Sequence, residues 1–160
     1  PKRIFKGMYK ALTVAFFSRS SGTALPITME CAKENLKISD RVASFSLPLC
    51  STINMNACAA FILVTILFVS ASNGLVFSLP QMIVWVAIAT IAAIGNSSVP
   101  MGCYFVSSAF LASMGVPLYI LGAILPFYTL LDMFETAVNV WSDACVATIV
   151  DKELAGNKAN

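Results

Sequence analysis

From Val42 to Leu131 the chain contains no aspartate, glutamate, lysine or arginine. A soluble domain carries about 25% charged residues, which keep its surface solvated by water. Over the whole chain only 11% of residues are charged and 58% are hydrophobic, with a mean hydropathy of +0.82. A soluble fold could not cover its surface with this sequence, and we therefore predict an integral membrane protein.

Charge and composition argue against several functional classes. The net charge of +2 gives no case for nucleic-acid binding. Histidine, the commonest catalytic base and metal ligand, is absent. The five cysteines are scattered without CxxC spacing, so we interpret them as packing residues rather than a disulfide framework or metal site. The chain starts with PKRIFKGMYK and shows no signal peptide, and we expect it to be the later part of a longer protein.

A polar stripe interrupts the apolar sequence in LLDMFETAVNVWSD, residues 130–143. On a helix of 3.6 residues per turn, five polar residues lie within about 80° of one another and a threonine lies at their edge. These residues are Tyr128, Asp132, Glu135, Asn139 and Asp143, with Thr136 at the edge. Each acid at mid-membrane depth costs about 2.5–3.5 kcal/mol, and this cost indicates a site for an ion or substrate. The alternative is that the polar groups only hydrogen-bond to neighbouring helices.

A short polar segment, SRSSGT at residues 18–23, separates two apolar stretches near the start of the chain. Basic residues flank the pair on both outer sides, so the positive-inside rule places both flanks in the cytoplasm. A crossing needs about 20 apolar residues, and neither stretch has them. We therefore predict a re-entrant hairpin over residues 3–34 with SRSSGT at its tip. The alternative is an ordinary serine- and glycine-rich loop.

The next apolar segment, residues 40–69, is long enough to span a membrane. Ser39 is the expected N-cap of its helix. Pro48 and the triplet Asn54-Met55-Asn56 interrupt the segment. Two amides at mid-span predict a broken helix whose freed carbonyls can coordinate a cation. The alternative is an amide contact between helices.

A second polar loop, GNSSVPMG at residues 95–102, also lies between apolar stretches that are too short to cross. We interpret residues 79–114 as a second re-entrant hairpin, which enters from the opposite face. A last helix is predicted over residues 119–150, and Lys152 and Lys158 place its end in the cytoplasm. The predicted fold is an all-α membrane protein with two re-entrant helical hairpins and two transmembrane helices. Their order is typical of an inverted repeat with a binding site near the midplane.

Four motifs follow one another in this order: AFFSRSSGTALPITM, SFSLPLCSTINMN, IGNSSVP and LLDMFETAVNVWSD. With them the chain resembles the dicarboxylate/amino acid:cation symporter family, which includes the glutamate transporters. The resemblance implies a sodium-coupled secondary transporter of small amino acids, multi-pass in the cell (inner) membrane, with hairpin gating and rigid-body displacement of this domain. Residues 1–160 correspond to the C-terminal transport-domain core. The preceding helices, including the scaffold through which the family forms homotrimers, would lie outside this sequence.

The resemblance also implies binding residues. Eight are assigned to substrate: Ser20, Ser21, Ser98, Val99, Asp132, Glu135, Thr136 and Asn139. The hairpin serines and backbone would bind the α-carboxylate, and Asp132 the α-amino group, as suits a buried anion. One sodium site is assigned to three carbonyls and one carboxylate: Cys50, Asn54, Asn139 and Asp143. A second is assigned to carbonyls alone: Thr52, Ala93, Ile94 and Asn96. Oxygen ligands of this kind are those that a hard cation prefers.

Two departures from the family pattern concern specificity and coupling. Members with acidic substrates carry an arginine where this chain has Glu135, and a carboxylate cannot pair with a carboxylate. The spacing Asp…Glu-Thr…Asn resembles the sodium-coupled serine/threonine transporters, which implies a neutral substrate, although a cationic side chain also fits. Asn56 replaces an aspartate of the glutamate transporters, which weakens a third sodium site and leaves the coupling number open.

Proton coupling is a further expectation. Asp132 and Glu135 lie three residues apart on one helical face, and like charges at that spacing resist ionising together in a low dielectric. We expect Glu135 to be protonated in part of the cycle, as a proton-coupling or hydroxyl-binding group. The competing interpretation is that Arg19 neutralises one of the two acids.

Two other functional classes compete with a symporter. A channel also lines its pore with polar residues, but it cannot concentrate a substrate. A membrane enzyme is disfavoured, because no serine has a histidine or lysine base at a suggestive spacing and no catalytic metal cluster is visible.

Overall fold

The structure is a computed structural model that describes residues 2–97, 99 and 101–156. Within these residues all regular secondary structure is helical, which confirms the expected all-α class. The described helices are α1 (Lys2–Ser18), α2 (Ser21–Glu34), α3 (Asp40–Ile53), α4 (Asn56–Ser72), α5 (Leu79–Gly95), α6 (Gly102–Ser113) and α7 (Tyr119–Gly156).

The chain divides into two compact units, which are described separately below. The first unit holds the residues up to Asn54 together with those from Met133 onwards. The second unit is the continuous segment Met55–Asp132. Helices α1 to α3 and the later part of α7 therefore belong to the first unit, and α4 to α6 with the earlier part of α7 to the second.

In the first unit, α1 and α2 pack against each other as a helical hairpin. The turn between them is short because Arg19 adopts a left-handed conformation, with φ of 53°, which is uncommon for a residue other than glycine. Ser20 then caps α2, since its hydroxyl oxygen accepts a hydrogen bond from the Thr23 backbone N–H at 3.2 Å. The polar residues of this segment therefore form the tip of a hairpin rather than an open loop.

The core of the first unit contains an unusual share of small side chains. Seven alanines have no exposed surface: Ala11, Ala15, Ala24, Ala32, Ala43, Ala144 and Ala147. Together with Met8 and Leu47 they bring α1, α2, α3 and the later part of α7 into one apolar cluster. Small residues let helices approach closely, which is how helices associate where lipid removes the hydrophobic driving force.

One expectation about α3 is confirmed and one needs correction. Ser39 is the N-cap residue, although its side chain makes no cap hydrogen bond and its hydroxyl donates to Asp151 Oδ1 of α7 at 2.6 Å. Pro48 does not interrupt the helix, which continues through it to Ile53. The carbonyl oxygen of Pro48 accepts a hydrogen bond from the Ser51 hydroxyl at 2.8 Å.

The helical path stops between α3 and α4. Asn54 has φ of −94° and ψ of 57°, and Met55 has φ of −93° and ψ of 50°, so neither residue is helical. A break of this kind leaves the last carbonyl groups of α3 without their usual partners four residues further on. The triplet Asn54-Met55-Asn56 therefore lies where α3 ends inside an apolar segment and where carbonyl groups lack their helical partners.

In the second unit, α5 and α6 both pack against α4. Tyr128 of α7 has no exposed surface, and its ring lies 5.0 Å from that of Phe61 and 5.4 Å from that of Tyr104, measured between centroids. The Trp85 and Phe110 rings join α5 to α6 at a centroid distance of 5.4 Å. Tyr128, which shares the polar stripe by its spacing, thus belongs to an aromatic core.

Among the residues that the structure describes, two segments are long and apolar enough to cross a membrane: Asp40–Ser72 and Tyr119–Gly156. In the second unit, large apolar side chains are exposed along α4 and α5: Val64, Phe68, Ile83, Val84, Val86 and Ile91. Lipid solvates such side chains, whereas water does not, and their position on the outside agrees with a membrane protein.

Candidate functional site

The later part of α7 carries its polar residues on the inside. Glu135 and Thr136 are 7% and 6% exposed, and Asn139 and Asp143 are each 2% exposed. By contrast, Phe134 is 55% exposed on the same helix. This arrangement reverses the usual pattern of a surface helix. Lipid cannot solvate polar groups at these positions. They can therefore bind only an ion or a substrate that enters the interior of the protein.

A hydrogen bond joins this stripe to the residue at which α3 ends. The Asn54 side-chain nitrogen Nδ2 donates to Asp143 Oδ1 at 2.9 Å and to the Ser142 hydroxyl oxygen at 3.0 Å. An ionised carboxylate only accepts hydrogen bonds, so the NH₂ end of the amide must face it. Asn54 therefore stabilises a carboxylate at Asp143 without cancelling its charge.

The end of α3 adds further negative potential beside this carboxylate. The Cys50 carbonyl accepts the Asn54 backbone N–H at 2.8 Å, which leaves a second lone pair on that oxygen. A helix carries a partial negative charge at its C-terminal end. Cys50, Asn54, Asn139 and Asp143, which were assigned together to one sodium site, all belong to the first unit. Carbonyl and carboxylate oxygens of this kind suit a hard monovalent cation better than an anion.

The second predicted sodium set is divided between the two units. Ala93, Ile94 and Asn96 lie at the C-terminal end of α5 in the second unit, whereas Thr52 belongs to α3 in the first. The Ile94 carbonyl accepts the Ser97 backbone N–H at 3.2 Å. The same oxygen also accepts the Asn96 backbone N–H.

Asn96 is a buried polar residue of that set. Its side chain is 7% exposed, and a methyl group on Gly102 would lie 3.0 Å from Asn96 Oδ1, so the glycine permits this close approach. Cys103 Sγ lies 3.9 Å from the same oxygen. The amide nitrogen Nδ2 makes no hydrogen bond within the described part of the chain. An amide held in this way orders the end of α5.

The predicted substrate residues differ in their exposure and in their hydrogen bonds. The Ser20 hydroxyl accepts from both the backbone N–H and the hydroxyl of Thr23, and Ser21 is the first residue of α2. Val99 is 54% exposed. Asp132 is half-buried, and Ser98 lies outside the described residues. Hydroxyl groups at the start of a helix, with its backbone N–H groups, provide donors suited to a carboxylate.

Sequence reasoning overlooked Ser142. On the helix this residue lies only about 20° beyond Glu135, at the edge of the polar stripe opposite Thr136. Its hydroxyl contacts Asn54, which is 88 residues earlier in the chain. The spacing is therefore a local signal for Ser142, and the contact with Asn54 is visible only in the structure.

Comparison of the sequence with known proteins finds one family and several relatives. The model of the sodium:dicarboxylate symporter family matches residues 1–153. Excitatory amino acid transporter 3 of Mus musculus is 36% identical over 152 residues, which are 95% of this chain and 29% of the mouse protein. Excitatory amino acid transporter 2 of Homo sapiens is 34% identical over 150 residues, covering 94% of this chain and 26% of the human protein. An excitatory amino acid transporter of Caenorhabditis elegans is 35% identical over 150 residues, with coverages of 94% and 30%. The chain thus spans less than a third of the length of these relatives.

Proposed function

Because the chain belongs to the sodium:dicarboxylate symporter family, we propose that it forms the substrate- and ion-binding part of a sodium-coupled amino-acid symporter. The observation that carries the proposal is the contact between Asn54 and Asp143, at 2.9 Å, beside a broken helix end. A buried carboxyl group whose partner is a neutral donor has no fixed counter-charge, so a cation can bind to it and stabilise its ionised form. In an apolar protein, a cation that binds and leaves is what a coupled transporter requires.

The first sodium ion would bind to one carboxylate and three carbonyl oxygens: Asp143 with Cys50, Asn54 and Asn139. Their membership of one compact unit supports this assignment. A second ion would bind to the carbonyls of Thr52, Ala93, Ile94 and Asn96. This second assignment follows from the resemblance of the motifs to the symporter family.

The substrate would be a small amino acid bound through both its charged groups. Ser20, Ser21, Ser98 and Val99 would hold the α-carboxylate by hydroxyl and backbone donors. Asp132 would bind the α-amino group, because a carboxylate and an ammonium group form charge-assisted hydrogen bonds. Asn139 and Thr136 would add polar contacts from the same helix as Asp132.

We assign specificity to Glu135. Its carboxyl group is buried on the polar face of α7 and would repel a substrate whose side chain is itself a carboxylate. The relatives named above transport excitatory amino acids by their names, and the resemblance associates an acidic substrate with an arginine at this position. The proposed substrate is therefore neutral, such as serine or threonine.

A competition assay tests this specificity in the full-length protein. Serine and threonine should inhibit uptake in the wild type, and glutamate should not. Glu135→Gln should admit substrates with larger or more acidic side chains and should remove any pH dependence due to proton coupling. Glu153→Gln is a matched control, because Glu153 is an exposed acid on the same helix. Strong inhibition of the wild type by glutamate, or an unchanged profile in Glu135→Gln, would contradict the role of this residue.

The membrane arrangement is also a proposal. The α1–α2 and α5–α6 segments would be re-entrant hairpins of an inverted repeat, within a multi-pass protein of the cell membrane that forms homotrimers. Phe17, beside the tip of the first hairpin, is 71% exposed, while the start of α1 is basic. This gradient from charge to apolar surface supports a hairpin that enters lipid from one side. Single cysteines that replace Phe17 and Lys6 can be labelled from either side of the membrane to test this arrangement. A re-entrant hairpin leaves position 6 accessible from the cytoplasmic side.

Uptake by the full-length protein in sealed vesicles tests the whole proposal. An inward sodium gradient should drive amino-acid accumulation above the external concentration, and dissipating the gradient should abolish it. The family match supports this outcome over the channel alternative, because a channel only equilibrates its solute. Uptake that equilibrates without sodium dependence would refute the symporter assignment.

A further inference from the structure

Ser142 and Asp143 are consecutive residues of α7, and both accept a hydrogen bond from the same nitrogen of Asn54, at 3.0 Å and 2.9 Å. We infer that Ser142 is a positioning residue that sets the cation preference of the Asp143 site by fixing the Asn54 amide. The inference rests on the proposed sodium site and adds to it a residue that supplies no ligand to the ion.

The chemistry of the amide explains why two acceptors matter. An asparagine NH₂ group has two N–H donors. With one donor directed to a carboxylate and the other to a hydroxyl, the amide plane cannot rotate without losing a bond. A single bond to Asp143 would leave that rotation free. Ser142 therefore converts a flexible contact into a fixed one.

The fixed amide also restrains the backbone at the break. Asn54 is the residue at which α3 ends, with φ of −94° and ψ of 57°. Its side chain is bonded to α7 and its backbone N–H is bonded to the Cys50 carbonyl at 2.8 Å. The last turn of α3 is consequently held at a set distance from the Asp143 carboxylate. That distance sets the size of the space in which the proposed sodium ion would bind, between the carbonyl ligands and the Asp143 carboxylate.

Cation selectivity follows from this restraint. Selection among ions of the same charge depends on the size of the cavity, the number of ligands and the flexibility of the site. A site with fixed oxygens favours one ionic radius, whereas a looser site adjusts to smaller or larger ions. Loss of the Ser142 hydroxyl should therefore weaken sodium binding and also narrow the difference between sodium and lithium.

The test uses the full-length protein in sealed vesicles and two readouts. These are the sodium concentration for half-maximal uptake, and the ratio of lithium-driven to sodium-driven uptake. Ser142→Ala should raise the sodium requirement about 2- to 12-fold, the equivalent of one ordinary hydrogen bond. It should also raise the lithium-to-sodium ratio. Ser142→Thr keeps a hydroxyl and should restore both readouts toward wild type.

A matched control separates this role from general packing. Thr148→Ala removes a hydroxyl from the same helix, but that hydroxyl donates to the Ala144 carbonyl of its own helix at 2.6 Å. This variant should leave both readouts unchanged. If alanine at position 142 prevents folding, Ser142→Cys replaces it, because a thiol is a weak acceptor and should give the same direction of change.

The outcomes distinguish the inference from the proposed function. If Asp143→Asn loses sodium dependence while Ser142→Ala retains wild-type values for both readouts, the sodium site stands and the role of Ser142 is wrong. If Asp143→Asn also retains normal sodium dependence, the proposed sodium site itself is wrong. An equal change in Ser142→Ala and Ser142→Thr would likewise overturn the inference, since only one of them lacks the hydroxyl.

Discussion

Replacing Asp143 by asparagine removes a charge from the proposed cation site and changes its shape very little. The new amide oxygen can still accept from Asn54 Nδ2, so the contact at 2.9 Å need not be lost. Two unit charges about 4 Å apart interact by about 4 kcal/mol at an effective dielectric of 20. This corresponds to about 1,000-fold in affinity, and the amide oxygen that remains a ligand offsets part of it. We therefore expect sodium affinity to fall about 100- to 1,000-fold.

The assay is amino-acid uptake by the full-length protein in sealed vesicles, measured as a function of sodium concentration. Asp151→Asn is the matched control, because this acid lies on the same helix and accepts hydrogen bonds from the Ser39 backbone and hydroxyl, at 3.1 Å and 2.6 Å. It should leave the sodium requirement unchanged. The reasoning fails if Asp143→Asn reaches the membrane in normal amounts and transports with the wild-type sodium requirement.

Three further predictions concern stability and can be measured by thermal unfolding of the detergent-solubilised full-length protein. Leu47→Ala opens a cavity at a fully buried position and should lower the free energy of unfolding by about 2–5 kcal/mol; an unchanged midpoint would contradict the packing described. Gly7→Ala places its Cβ 2.5 Å from Leu36 Cδ2, so it should cost about 1–3 kcal/mol, with a neutral result arguing against that close approach. A Cβ on Gly122, in the first turn of α7, meets no atom within 4 Å, so Gly122→Ala should stabilise the protein by up to about 0.5–1 kcal/mol; destabilisation would contradict the open space described there.

Local periodicity accounts for what the sequence predicts well. The polar stripe of α7 depends only on helical spacing and the cost of exposing acids to lipid, and four of its members, Glu135 among them, are buried. The tip of the first hairpin is similarly local, since Ser20 caps the helix that starts at the next residue. In each case the residues that decide the structure are close neighbours in the chain.

Contacts between distant segments account for what the sequence does not predict. Ser39 has the residue type and position of an N-cap, yet Asp151, 112 residues later, takes its hydroxyl. Ser142 lies at the edge of the polar stripe by its spacing, but its contact with Asn54 depends on where α3 ends. Pro48 should interrupt a helix by its own chemistry, but the helix continues through it. Local propensity is a weak guide wherever tertiary contacts supply an alternative partner.

The choice of an amide rather than a cationic side chain beside Asp143 bears directly on coupling. A lysine or arginine would satisfy the buried carboxylate permanently, and a sodium ion would then gain little by entering. A hydrogen bond from a neutral amide to a charged group contributes only about 1.5–3 kcal/mol. That is less than the cost of several kcal/mol for keeping an anion out of water. The part of this desolvation cost that the amide does not offset is recovered only when a cation binds. Asn54 therefore lets the proposed site fold and still leaves a gain in free energy for sodium binding.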